Sequence, residues 1–493
     1  MEKIWSGLLS IDRKERLCIP PQAVRKRPVE ERIHSFDEVT LGFDAETARR
    51  EAERCLHCPE PAPCVEACPL HNDIPTALWY IEQGDFLAAA EVYRRTNPMP
   101  EICGRVCPPT TCRGSCNVGK PEVPLNTSKL EAFVADYQRK TVGVPLPEKA
   151  PPTGKRVAVV GAGPAGLTVA ERLTVKGHQV VVYEAMPRPG GLLVYGIPSF
   201  KLPKELVMWK AKWLERLGVT FIYNIRIGED LTVDDLLDRE GFDAVFLGTG
   251  AEVSATPRWE GMDLEGVYQS LDFLMRANLS PDFLPPEKQE RPQVGRRVAV
   301  IGGGDTAMDC ARTAIRLGAE EVTIVYRRTE AEMPGNPYER ALAIEEGVRF
   351  EFLTAPVRFI GDEAGRLVAM ECVRMELGEP DESGRRRPIP IAGSEFRREV
   401  DTVVLALGFW PDPLIGETTP GLKTRKWGLI VADEETGRTS REEIFAGGDN
   451  VHGPDLVVTA MAAGMRAAEA IHDYLMRPSP PEPEAEEAIL VPA

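Results

Sequence analysis

The chain has 493 residues, 43% hydrophobic and 27% charged, enough for roughly two to four ordinary globular domains. No apolar run is long enough to cross a bilayer, and the N-terminus lacks a signal pattern, so a cytoplasmic protein with no membrane partner is expected. A formal net charge of −17 disfavours nucleic acid and an anionic membrane as partners, since both call for a basic surface.

Residues 1–150 hold nine of the eleven cysteines, eight of them in two runs. The first is Cys55, Cys58, Cys64 and Cys68, with Pro69 following. The second is Cys103, Cys107, Cys112 and Cys116. In a reducing compartment such clustering reads as metal or cluster ligation, not as disulfides. The first run echoes the ferredoxin pattern, in which a cysteine before proline reaches a second [4Fe–4S] cluster. Zinc is the competing ion, but structural zinc favours paired C-x2-C knuckles and one such knuckle is present. Helical stretches are predicted at 45–54, 74–83 and 85–95, with no sustained strand alternation, so this part reads as a small α-helical domain. Pro145, Pro147, Pro151 and Pro152 mark a stiff connector. Cys18, Cys310 and Cys372 stand alone, and the last two are expected to be buried thiols.

A β-branched run at 156–160 ends at Gly161, Gly163 and Gly166, and a helix is predicted at 165–176. Gly161 permits the tight turn, Gly163 lets backbone approach a pyrophosphate, and Gly166 lets helix and strand close up. Pro164 and Ala165 open the helix whose N-terminus faces the anion. The next strand, 179–183, ends at Glu184, where a carboxylate accepts ribose hydroxyls. The unit repeats later. A strand at 297–301 meets Gly302, Gly304, Asp305, Thr306 and Ala307, then a helix at 306–317 and a strand at 322–326. Here Arg327 and Arg328 replace the acid, and guanidinium groups suit a 2′-phosphate, so NADP(H) is expected.

Two further strands, 244–250 and 402–408, end in glycine and would hand the chain from one unit to the next. The fold class expected is α/β: two doubly wound nucleotide-binding domains, the second inserted in the first, preceded by the helical domain. The boundaries expected are 151–255 with 409–477, and 256–408. Gly448 and Asp449 end another strand, and Thr459 opens a helix at 460–470 whose N-terminus would face a flavin. Residues 478–493 read as a disordered tail. Hydrolytic motifs are absent, and hydride transfer needs placed rings more than an acid or base, so no general acid or base is named.

The motifs Arg54-Cys-Leu-His-Cys58, Ile102-Cys-Gly-Arg-Val-Cys-Pro108, Gly190 to Pro198, Gly302 to Asp309, Met333-Pro-Gly335, Gly378 to Asp381 and Gly448-Asp449 resemble the small (beta) subunit family of glutamate synthase. They are similar also to the N-terminal half of dihydropyrimidine dehydrogenase and to the large subunit of NADH-dependent ferredoxin:NADP oxidoreductase. The resemblance covers roughly residues 30–477. It implies FAD in the first nucleotide domain, touched by Gly191, Leu192 and Lys201, and NADPH in the second. It implies two [4Fe–4S] clusters with a swapped pattern. Cys55, Cys58, Cys64 and Cys116 would hold one. Cys68, Cys107, Cys112 and Glu131 would hold the other, leaving Cys103 a spare thiol. The family often has four residues where five separate Cys58 from Cys64, so that loop is expected to bulge.

The function expected is an NADPH-oxidising electron-transfer subunit that passes electrons through FAD and the clusters to a large subunit making glutamate from glutamine and 2-oxoglutarate. Residues 36–42 and 133–137 look instead like the bifurcating ferredoxin-linked branch, whose partner is a small flavin and [2Fe–2S] subunit, whereas 378–396 look like the glutamate synthase branch. A relay or assembly subunit without hydride chemistry is the alternative of another class.

Overall fold

The computed structural model describes residues 11–381 and 384–477; the tail expected at 478–493 lies outside them. The N-terminal part is built on helices. Asp44, Asp73 and Asp85 each accept a backbone N–H of the first turn, which starts the helices Ala45–Ala52, Ile74–Gln83 and Phe86–Thr96. Gly84 ends the second in a left-handed conformation (φ +81°) that a side chain would resist. Pro100–Val106 and Thr127–Thr141 complete the group. Its core is Leu78, Ile81, Val92, Leu130 and Val134, all at or near zero exposure. A short antiparallel pair, Arg25–Lys26 with Thr40–Gly42, adds a strand element to a domain expected to be helical.

The first doubly wound sheet is parallel throughout. Its order is Ile444–Ala446, Ala244–Leu247, Arg156–Val160, Gln179–Glu184, Thr220–Tyr223. The chain leaves this sheet after Leu247 and rejoins it at Ile444. The second sheet lies between and is also parallel: Arg349–Phe352, Glu321–Tyr326, Arg297–Ile301, Thr402–Leu405, Val267–Gln269. The expected nesting is therefore the observed topology. The two connections run side by side, Val253–Ser254 pairing antiparallel with Phe409–Trp410.

Both fingerprint helices begin one residue before the expected position, at Pro164 and Asp305, because Gly163 and Gly304 are extended N-caps. The final helix runs Val457–Leu475, longer than expected at both ends. It packs on Pro164–Val175 so closely that a Cβ on Gly464 would lie 2.6 Å from the Ala165 carbonyl oxygen. Cys310 and Cys372 are fully buried, as expected. The sequence reading missed an antiparallel sheet in the second domain. It pairs the long strand Leu367–Pro380 with Thr354–Gly361, Arg386–Pro390 and Phe396–Glu399.

Residues 26–40 strap all three parts together. Val39 N–H donates to the Phe200 carbonyl in the first nucleotide domain, and Arg316 of the second donates to the Ser35 carbonyl, both at 2.9 Å. Arg32 is buried against Glu346 at 3.0 Å, and Phe200 lies beneath the guanidinium groups of Arg312 and Arg316. Among the described residues no helix is long and apolar enough to cross a membrane.

Candidate functional site

Both fingerprints open on one cavity of about 780 Å³. Gly161, Gly163, Pro164, Ala165 and Glu184 face it from the first domain, with Gly191, Leu192 and Lys201 from the following segment. Asp305 and Thr306 face it from the second, and Gly448 and Asp449 from the last strand–helix turn. The glycines divide by what surrounds them. A Cβ on Gly161 (φ +95°) would lie 2.5 Å from the Gly248 carbonyl oxygen, and one on Gly166 would lie 1.9 Å from the Gly161 carbonyl oxygen. A Cβ on Gly163 or Gly304 would meet only open space, the room a phosphate approaching the backbone requires.

Glu184 accepts the Ala162 and Met186 N–H groups at 2.8 and 2.9 Å. Burial nevertheless pushes its carboxyl up to about 7, so hydroxyl donors from a ribose would favour the charged form. Asp449 is raised to about 7 by the same cause. Thr459 does not face the cavity: its hydroxyl donates to the Leu456 carbonyl at 2.7 Å. Asp305 accepts the Asn336 N–H at 2.7 Å, which pins the turn after Met333–Pro334 against the second fingerprint.

The two arginines after Tyr326 part company. Arg327 is exposed, with Arg328 and Arg385 close by. Arg328 is buried, donating through Nε to the Arg386 carbonyl at 2.6 Å and pairing with Asp381 at 2.6 Å. Gly302 and Ala307 are buried beneath the second fingerprint, where a Cβ on Gly302 would lie 2.2 Å from the Ala406 carbonyl oxygen.

The cysteines gather in two groups. Beyond burial, Cys116 and Cys58 lie close enough to raise Cys55, and Cys55, Cys116, Cys112 and Cys58 to raise Cys64. Asn117 donates to the Cys58 sulfur at 3.2 Å. Cys68, Cys103, Cys107, Cys112 and Glu131 share a second pocket. Burial pushes Cys55 and Cys68 up to about 12, so a thiolate at either position needs a cation beside it. Cys107 is raised first by the hydrogen bond its thiol donates to Cys103 and then by burial. Among the described residues, no three His, Cys, Asp or Glu side chains close tightly enough for a single ion.

Two features escaped the sequence reading. Glu131 Oε1 accepts the side-chain amides of Asn97 at 2.6 Å and Asn72 at 3.2 Å. Val106 and Val457 face the large cavity, while their chain neighbours Cys107 and Val458 face the second cysteine pocket, so a wall one residue thick divides the two. No sequence signal marks Asn72 or Asn97 as partners of Glu131, or Val106 and Val457 as neighbours of the cysteine pocket, because each contact joins residues distant in the chain.

Residues 155–464 match the model of the pyridine nucleotide-disulphide oxidoreductases, and residues 32–142 match that of dihydropyrimidine dehydrogenase domain II, 4Fe–4S cluster. The chain is 42% identical over 459 residues to the glutamate synthase [NADPH] small chain of Halomonas elongata, covering 92% of this chain and 96% of that one. It is 41% identical over 457 residues to the same subunit of Escherichia coli K12, covering 91% and 96%. It is 39% identical over 437 residues to the NADP(+)-dependent formate dehydrogenase subunit beta of Moorella thermoacetica, covering 84% of this chain and 60% of that one. The fold is shared with Mycobacterium tuberculosis FprA in complex with NADPH, at a TM-score of 0.54 and 23% identity, over 66% of this chain and 85% of that one. A 4Fe–4S domain, two nested nucleotide folds and close identity over nearly the whole length place this chain in the glutamate synthase small-chain family of oxidoreductases.

Proposed function

We propose that the chain is the NADPH-oxidising electron-transfer subunit of a glutamate synthase, with FAD at the first fingerprint and NADPH at the second. The observation that carries this reading is the single cavity shared by both fingerprints and divided from the second cysteine pocket by Val106–Cys107 and Val457–Val458. A flavin supplies the conversion of a hydride pair into single electrons, which iron–sulfur clusters can carry onward. The protein's part is placement. Gly161, Gly163 and the helix opening at Pro164 and Ala165 would hold the FAD pyrophosphate, and Glu184 its ribose. Gly191 and Leu192 would border its ring, and Asp449 would lie at its other end. Gly304, Asp305 and Thr306 would receive the NADPH pyrophosphate, and Arg327 its 2′-phosphate. Arg328 supports the hairpin beside that site instead of reaching into it.

Two [4Fe–4S] clusters fit the two side-chain groups: Cys55, Cys58, Cys64 and Cys116 for the outer, and Cys68, Cys107, Cys112 and Glu131 for the inner. The partner in this reading is the large subunit that makes glutamate from glutamine and 2-oxoglutarate. Similarity to a formate dehydrogenase subunit favours a second reading, in which the same module exchanges electrons with a different oxidoreductase subunit.

Anaerobic isolation of the chain with its bound partner, identified by mass, tests the proposal. A very large partner with an N-terminal nucleophilic cysteine supports it. A small flavin and [2Fe–2S] partner, or a formate-oxidising one, overturns the glutamate synthase assignment. NADPH-dependent dye reduction by the isolated chain tests the hydride step separately, and a bound flavin that NADPH leaves oxidised would make the chain a relay only.

A further inference from the structure

Lys201 belongs to the first nucleotide domain, yet both of its partners belong to the second. Its ammonium lies 2.9 Å from Oδ1 and 3.2 Å from Oδ2 of Asp309, and 3.6 Å from Oε2 of Glu339. Asp309 sits on the second turn of the fingerprint helix Asp305–Arg316, and Glu339 on the helix Pro337–Glu345. Lys201 and Asp309 both face the shared cavity, beside Asp305 and Thr306. At this stretch of wall, residues of the two nucleotide domains come together.

The surrounding charges are otherwise spoken for. Glu339 is paired with Arg312 at 2.8 Å, and Arg312 with Glu346 at 3.0 Å. Glu346 also holds Arg316 and Arg32, so the row of alternating charge ends in the N-terminal strap. Lys204, the other lysine of the same segment, is half-buried and donates to the carbonyls of Leu193 and Ile197. Lys201 is thus a cation at the cavity wall whose carboxylate partners both lie across the domain interface.

We propose that Asp309, assisted by Glu339, is a positioning residue that holds the Lys201 ammonium at the junction and offsets its charge, so that the electron affinity of the flavin depends on how the two nucleotide domains dock. The inference rests on the assignment of FAD and NADPH to this cavity. Reduction adds negative charge to a flavin, and a bare ammonium on a poorly solvated wall would stabilise that charge strongly. An ammonium already paired with carboxylates stabilises it less. The reduced flavin then remains a stronger reductant, which favours passing electrons to the clusters over storing them. Asp309 would do this without touching the reacting atoms, through its hold on Lys201.

The test is a spectroelectrochemical titration of the flavin in the full, cluster-loaded chain, for wild type, Asp309→Asn, Glu339→Gln and the double variant Lys201→Met/Asp309→Asn. Asp309→Asn is nearly isosteric and should keep its flavin. Its midpoint should shift upward, raising the ratio of reduced to oxidised flavin at a fixed potential by roughly tenfold or more, as expected of a unit charge close by in a medium of effective dielectric near 20. Glu339→Gln should shift it in the same direction by less. The double variant should return toward wild type. An unshifted Asp309→Asn, or a shift that survives removal of Lys201, overturns the proposal. A wild-type chain that binds no FAD would instead overturn the cofactor assignment on which it rests.

Discussion

The side-chain amide of Asn97 donates to Oε1 of Glu131 at 2.6 Å, and Asn72 donates to the same oxygen at 3.2 Å. Asn72 is itself fixed by the Thr96 hydroxyl at 2.6 Å. One carboxylate oxygen is thus committed to two amides, which would leave the other for the iron of the proposed inner cluster, in the way outer partners orient other metal ligands. Burial raises the Glu131 carboxyl to about 8 even with both amide donors in place, so a cation beside it is needed to hold it ionised at neutral pH. Glu131→Ala is expected to lose the inner cluster, lowering iron and acid-labile sulfide by about half. Cys103→Ala, which removes the thiol resting on Met461 at 3.6 Å, should keep its iron. The reverse pattern in iron analysis would make Cys103 the fourth ligand and sink the assignment of Glu131.

The first fingerprint predicts two different failures from one kind of substitution. Gly166→Ala drives a methyl into the Gly161 carbonyl, with a calculated approach of 1.9 Å, and should destabilise even the flavin-free chain by about 1–3 kcal/mol. Gly163→Ala meets nothing within 4 Å and should leave flavin-free stability unchanged. Its methyl would occupy space that the pyrophosphate needs, so flavin content should fall. Thermal melting of flavin-stripped protein and absorbance of bound flavin separate the two. A Gly163→Ala chain with full flavin would remove the pyrophosphate from that position.

The elements expected from sequence and those missed differ in the distance over which their causes act. Arg156–Val160 and Arg297–Ile301 are strands over the residues expected, because a short apolar, mostly β-branched run ending at a turn glycine is a local signal. The strand Leu367–Pro380 was missed because its exposed half alternates with charge and proline and takes its order from partners on either side. The fingerprints located the cavity, since each glycine acts on its own turn. Nothing local indicated that Lys201 would find Asp309, or that Asp381 would take Arg328 out of the nucleotide site, because those pairings are made by the packing of separate elements.

Arg327 and Arg328, adjacent in sequence, are expected to respond differently to truncation. Arg327 is exposed beside the second fingerprint strand, so Arg327→Ala should lower kcat/KM for NADPH by about 10- to 100-fold, the worth of a charge-assisted hydrogen bond, while NADH turnover holds. Arg328 is 5% exposed and tied to Asp381, itself partly exposed, so Arg328→Ala should lower stability by about 1–3 kcal/mol and leave the preference for NADPH over NADH largely intact. Steady-state kinetics with both nucleotides, together with melting curves, distinguish these outcomes. A selective NADPH defect in Arg328→Ala alone would reverse the roles.

Glu184 predicts a pH dependence with a definite sign. Its carboxyl is raised by burial from 4.5 to about 7 in the folded chain. Between those values the folded, flavin-free protein holds a proton that the unfolded chain has released, so stability falls as pH rises through the window and levels off above about 7. Flavin binding should run the other way. Ribose hydroxyls donate to the carboxylate form, so FAD affinity should strengthen as pH rises toward 7, by up to about tenfold per unit for this one proton. Asp449, raised to about 7 and facing the same cavity, adds a second contribution of the same direction if it must ionise for FAD to bind. Glu184→Gln should weaken FAD binding and reduce the slope between pH 5 and 7, and Glu184→Gln/Asp449→Asn should flatten it. Fluorescence titration of the flavin-free chain against pH reads both. A slope unchanged in Glu184→Gln would show that the carboxylate does not carry the ribose, and would leave the two backbone N–H groups of Ala162 and Met186 as its whole role.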